Sequence, residues 1–227
     1  MELINLALKG NIDAIRSVLS RNSSPEFVNF ADETGSTALH YSTRKGLEEA
    51  VELLVSAGAD VNVRTDYGVT ALHYASGHAF SLDNKDIVRM LLRAGADVNA
   101  ASNSGCTALH DGVSVSRVDI VEELIKAGAS MNTRSTYGDT ELHIAAMRGN
   151  LDMVRLLIWS GADVNVVNVY GNAALHYAVR NGHVSVVRLL LRNGADGSVE
   201  NNDGYTPLYY AKIMENPEMV EILSHHG

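Results

Sequence analysis

Apolar residues recur along this chain in short helical stripes, not in alternating runs. In "LDMVRLLIWSG", Leu151, Val154, Leu157 and Ile158 fall at the spacing of one helix face, and a glycine stops the run. A shorter apolar run precedes each such segment, as in "TALHYSTRKG". The threonine ahead of it is a good N-cap, because its hydroxyl accepts from a first-turn N–H. Gly46, Gly149 and Gly182 stand where these first helices must end in a left-handed residue. After the second helix an extended segment, "DVN", leads to a turn carrying another glycine. The pattern predicts pairs of short helices joined by turns.

These pairs repeat. The threonine or its equivalent falls at Thr37, Thr70, Thr107, Thr140, Ala173 and Thr206, with spacings of 33, 37, 33, 33 and 33. A glycine precedes each by two residues, from Gly35 and Gly68 to Gly171 and Gly204. "GAD" or a variant follows, as at Gly58–Asn62, Gly95–Asn99, Gly128–Asn132, Gly161–Asn165 and Gly194–Ser198. Two short helices and a turn cannot bury a core alone, so neighbouring units must stack.

The repeated pattern resembles the ankyrin repeat over essentially the whole chain. The resemblance implies an all-α solenoid of helix-turn-helix units with β-turn fingers. It implies one domain over 1–227: an N-terminal helical cap at 1–29, full repeats at 30–62, 63–99, 100–132, 133–165 and 166–198, and a capping repeat at 199–227. In the cap, Leu3, Ala7 and Gly10 align with Leu39, Thr43 and Gly46, and "RNSSPEF" is a long connection.

The departures from the family pattern are local. Alanine or glutamate replaces the motif's proline in five copies, and only Pro207 keeps it. Ser116 and Glu215 stand in place of the inter-helix glycine, and Tyr209 in place of the histidine. The 37-residue spacing reflects four extra residues around Ala79–Asn84, between the two helices of one repeat. Such an insertion is either a contact loop or tolerated loop variation.

Composition narrows the function. A net charge of −9 disfavours nucleic acid or an anionic membrane as the main partner. One cysteine, Cys106, leaves no intramolecular disulfide and fits an intracellular protein, cytoplasmic or nuclear. No apolar run approaches the roughly 18 residues of a membrane span.

The recurring histidines are the obvious chemical candidates. Equivalent side chains in stacked repeats lie one packing distance apart, roughly 8–10 Å, whereas zinc needs its nitrogens within about 2.1 Å. His40, His73, His110, His143 and His176 therefore form a row and not a metal site. Cys106 lies beside a turn glycine with no evident base and orienting group. Glycine-rich phosphate loops are absent. No cofactor, metal or catalytic residue is assigned, and an enzyme is not expected. A scaffold role follows instead: Thr37, Thr70, Thr107 and Thr140 cap helices, and each imidazole bonds backbone of the neighbouring loop. The resemblance implies the same role for these histidines.

Binding then belongs to the positions that differ between copies. By the resemblance, the turn tips and first helices line a concave face that binds a protein or peptide. Tyr67, Tyr137, Tyr170 and Tyr205 lie at the tips, with Asp66 and Asn103. Tyr41, Tyr74, Tyr177 and Tyr210 follow the motif, either packed beneath the turns or available for contact. Tyrosine suits such a surface because it joins a large ring to a polar tip. Arg44, Arg148 and Arg180 add cations late in the first helices. Trp159 looks exposed on a second helix, as a second contact or as local packing. Leu54, Leu91 and Leu157 precede Asn62, Asn99 and Asn165 at a spacing that resembles substrates of asparaginyl hydroxylases, a scaffold modification.

The expected function is a non-enzymatic, monomeric adaptor for a protein partner. The alternative is the recognition domain of a larger protein, such as a ubiquitin-ligase substrate receptor, a channel or a secreted bacterial effector. Its activity would lie outside this chain.

Overall fold

The computed structural model describes residues 1–77 and 84–225. The described residues form helices, turns and three isolated antiparallel bridges. They fall into two compact units, Met1–Ala129 and Ser130–Gly227.

The first unit contains α1 (Glu2–Lys9), α2 (Ile12–Arg21), α3 (Pro25–Val28), α4 (Ala38–Arg44), α5 (Glu48–Ser56), α6 (Ala71–Gly77), α7 (Asn84–Arg93), α8 (Ala108–Ser114) and α9 (Val118–Lys126). Helices α1, α4, α6 and α8 stack as an inner row, and α2, α5, α7 and α9 as an outer row. Between the rows Leu39, Leu54, Leu72, Ile87, Leu91, Leu109, Ile120 and Leu124 are fully buried. Each contributes about 1.5–3 kcal/mol by leaving water. The "RNSSPEF" connection is not wholly irregular. Pro25, with its fixed φ, begins the single helical turn α3.

The second unit contains α10 (Glu141–Arg148), α11 (Leu151–Trp159), α12 (Ala174–Arg180), α13 (Val184–Arg192), α14 (Pro207–Ile213) and α15 (Pro217–Ser224). The inner row is α10, α12 and α14, and the outer row α11, α13 and α15. In α11 the buried stripe is Met153, Val154 and Leu157, while Leu151 and Ile158 are half exposed. The stripe is thus turned from the one read off the spacing, since α11 packs against both α10 and α13.

"DVN" is a tight turn rather than an extended segment. The Asp60 carboxylate accepts the Asn62 N–H at 2.8 Å, and Asp97 and Asp163 do the same for Asn99 and Asn165. This Asx geometry reverses the chain locally. Two inter-helix positions are left-handed without glycine: Ser116 at φ 61° and Glu215 at φ 52°. Such a conformation costs an L-residue roughly 1–2 kcal/mol. Most of the insertion predicted at Ala79–Asn84 lies outside the described residues. Asn84, its last residue, opens α7 and is buried.

Candidate partner-binding face

His40, His73, His143 and His176 are each held from both ring nitrogens. Nδ1 of His40 accepts the Thr37 N–H at 3.1 Å, and Nδ1 of His73, His110 and His143 accept from Thr70, Thr107 and Thr140 at 3.1–3.2 Å. With Nδ1 accepting, the proton sits on Nε2, which donates across to the next finger. Nε2 of His40 reaches the Val63 carbonyl, His73 that of Cys106, His143 that of Asn172 and His176 that of Tyr205, all at 3.0–3.1 Å. The threonine hydroxyl also meets Nδ1, at 2.8–3.0 Å, completing a capping box with histidine in place of the usual glutamate. At Ala173 the hydroxyl is missing, and only the N–H bond to His176 remains, at 3.0 Å. Burial pushes His40, His73, His143 and His176 below the ordinary imidazole range. They are neutral hydrogen-bond relays at pH 7. Among the described residues no three His, Cys, Asp or Glu side chains converge as a ligand set.

These relays stiffen the fingers, which also bond one another through main chain. Asp66 N–H donates to the Thr34 carbonyl at 2.9 Å and Asn103 N–H to that of Tyr67 at 2.9 Å. In the second unit Val169 N–H donates to Tyr137 and Asn202 N–H to Tyr170, both at 3.0 Å. Gly68 shows how close the fingers run. Its φ is 73°, and a Cβ there would lie 2.6 Å from Asn103 Oδ1. Arg64 and Arg134 reinforce the ladder by donating to the carbonyls of Ala101 and Val167.

The finger tips project side chains from this frame. Tyr67 is 71% exposed, Tyr137 61% and Tyr170 53%. Asp66 and Asn103 are exposed beside them, although the Asn103 amide also donates to the Asp66 carbonyl at 2.8 Å. Tyr205 is half buried and stacked on Tyr209 at 4.2 Å. Tyr209 stands where a histidine would reach for a following finger.

The tyrosines after the motif are placed differently. Tyr41 donates its hydroxyl to Asp32 at 2.6 Å, and the Tyr177 and Tyr210 hydroxyls accept from the Asn168 and Asn201 amides at 2.9 and 3.0 Å. Burial works against ionised Asp32, yet bonds from Tyr41, Thr34 and Ser36 outweigh it and hold the carboxyl down to about 2. Each ring thereby braces its own finger. Rings also meet the preceding histidine edge-on: His40 with Tyr74, His143 with Tyr177 and His176 with Tyr210, at 6.0–6.3 Å. Arg44 lies 5.1 Å over Tyr41 and 6.0 Å over Tyr74, so the first unit brings these three together. Arg148 and Arg180 are exposed at the ends of α10 and α12.

Other candidates lie away from the fingers. Trp159 is 77% exposed on α11, with Arg155 6.0 Å over its ring. Asn62 and Asn165 each tie two loops: their amides donate to the Gly95 and Gly194 carbonyls at 2.9 Å, and their oxygens accept from Asp97 and Asp196 N–H. Asn99 donates to Gly128 at 3.3 Å. Asp111 was not singled out by sequence reasoning. The available signal was its acid in a register otherwise filled by Tyr41, Tyr74, Ile144, Tyr177 and Tyr210.

Family models described as "Ankyrin repeats (3 copies)" match residues 3–102, 66–135 and 137–227, and one described as "Ankyrin repeats (many copies)" matches 113–158. Over 73 residues the chain is 42% identical to the Notch-regulated ankyrin repeat-containing protein of Homo sapiens. That match takes in 31% of this chain and 64% of the relative, just under two thirds of its length. A 74-residue match at 38% identity covers 33% of this chain and 6% of a Transient receptor potential cation channel subfamily A member 1 homolog from Caenorhabditis elegans. The crystal structure of the ankyrin repeat domain of Bcl-3, a member of the IkappaB protein family, aligns with a TM-score of 0.84 at 30% identity. The alignment covers 99% of this chain and 98% of that one.

Proposed function

Because this chain belongs to the ankyrin-repeat family, whose repeats are protein-interaction modules, we propose that it binds a partner protein or peptide through its fingers and inner helices. One observation carries the reading: Tyr67, Tyr137 and Tyr170 are exposed on fingers made rigid by main-chain and imidazole bonds. Rigid aromatic side chains lose little entropy on binding and bury large area. The other contacts in this reading are Tyr41, Arg44, Asp66, Tyr74, Asn103, Arg148, Tyr177, Arg180 and Tyr205. The chain works as one array over 1–227, as a monomer, without catalysis or cofactor, inside the cell. Among the described residues no helix is long and apolar enough to cross a membrane. Hydroxylation of Asn62, Asn99 and Asn165 would modify the scaffold. The test is affinity purification with the wild-type chain and with a Tyr67→Ala, Tyr137→Ala, Tyr170→Ala variant of unchanged circular dichroism. Loss of the captured partners is expected, and undiminished capture refutes the reading.

A second reading makes these repeats the recognition part of a larger protein. The channel relative, of which the matching segment is only 6%, favours it. The full-length transcript decides between the two.

A further inference from the structure

In the first unit α8 lies against α6, and Gly77 faces Asp111 at close range. A Cβ added there would fall 2.9 Å from the Asp111 Cβ. Beside this contact lies a recess of about 170 Å³ lined by Asp111 with Val69, His73, Tyr74, Gly77 and Ser114. That is room for several waters or one long side chain.

The recess has acceptors for a cation, and no described residue supplies one. The nearby donors are committed elsewhere. The Ser114 hydroxyl donates to the Asp111 main-chain carbonyl at 2.8 Å, and His73 Nε2 donates to Cys106. His110 offers its Nδ1 to the Thr107 N–H. Arg44 lies over Tyr41 and Tyr74, and Arg117 pairs with Asp119 at 2.9 Å. Among the described residues nothing donates a hydrogen bond to the Asp111 carboxylate. Burial pushes this carboxyl up to about 7, against a smaller opposing pull from His110.

We infer that Asp111 anchors a recess for one arginine side chain of the partner polypeptide. The inference rests on the inner helices being part of the docking face. A guanidinium restores to the carboxylate the hydrogen bonds that burial removed, and can do so with two parallel N–H donors. It is weakly hydrated and has flat apolar faces, which suit Val69 and the Tyr74 ring. That ring already takes one guanidinium, from Arg44.

The experiment needs no natural partner. Acetyl-Gly-Arg-Gly-amide is titrated at millimolar concentration into the 15N-labelled chain, beside its citrulline counterpart of the same shape without the charge. Saturable amide shifts at Gly77, Asp111 and Ser114 are expected with arginine only, weakened at least about tenfold in Asp111→Asn. Absence of saturable shifts there, equal shifts with citrulline, or unchanged binding to Asp111→Asn overturns the inference. If Asp111→Asn fails to fold, the arginine–citrulline comparison on the wild type decides alone. A negative result with tyrosine-dependent partner capture intact sinks the recess and leaves the adaptor reading standing.

Discussion

Replacing His143 with alanine should break one repeat-to-repeat joint and leave its helix in place. The imidazole is 2% exposed, accepts the Thr140 N–H at 3.1 Å and donates to the Asn172 carbonyl at 3.0 Å. Alanine deletes both bonds and orphans the Thr140 N–H, while the Asn172 carbonyl keeps the Asn168 N–H at 3.0 Å. An orphaned group costs about 1–3 kcal/mol and a lost bond about 1 kcal/mol, so the loss should be about 3 kcal/mol. Thr140→Ala is the internal control. It removes only the hydroxyl and should cost about 1 kcal/mol. The chain already tolerates that state at Ala173, where His176 keeps its bonds to the Ala173 N–H and the Tyr205 carbonyl. Urea unfolding of the full chain by circular dichroism gives the two midpoints. Amide exchange at Val169 and Tyr170 reports whether their finger has loosened. A His143→Ala loss within about 1 kcal/mol of Thr140→Ala would refute the claim that imidazoles couple the repeats, since the hydroxyl would then be contributing as much as the ring.

Three further outcomes follow from the same geometry. His40, His73, His143 and His176 have lowered pKa values in the fold, so below the ordinary 6.5 the unfolded chain takes up protons that the folded chain refuses. Stability should therefore fall as pH drops through 6.5, by up to about 1.4 kcal/mol per pH unit for each imidazole. Urea midpoints at pH 7.5 and 5.5 check this, and an equal or higher midpoint at pH 5.5 contradicts it. Asp111 acts with the opposite sign, because its raised carboxyl makes the folded state the stronger proton binder between about 4 and 7. Asp111→Asn should therefore stabilise the chain, with a gain that grows over that pH range and levels off above it. A gain that is the same at pH 4 and pH 8 argues against a buried, ionising carboxylate. Ser116→Gly relieves a left-handed residue at φ 61° and should add about 1 kcal/mol, read as a rise in thermal midpoint. No rise would mean that Ser116 makes compensating contacts.

The sequence by itself determined the repeat, its helix pairs and its caps. These depend on residues three or four positions apart: threonine before its helix, histidine one turn on, glycine where φ must be positive. Six copies of one local pattern left little else for the chain to form.

Only the tertiary structure decided which surfaces remain. Tyr41 and Tyr67 are equally aromatic in the sequence, yet Tyr41 is tied to Asp32 on its own finger and Tyr67 stands in solvent. In α11 packing against neighbours turned the buried stripe toward Met153 and left Leu151 half exposed. "DVN" became a turn because Asp60 and its equivalents accept an N–H two residues on. The state of Asp111 depends least on its own neighbours in sequence. A glycine on the preceding inner helix brings α6 close to Asp111, the carboxylate is partly buried, and among the described residues no donor meets it. Burial is a property of what lies opposite, and that is set by the stacking of helices.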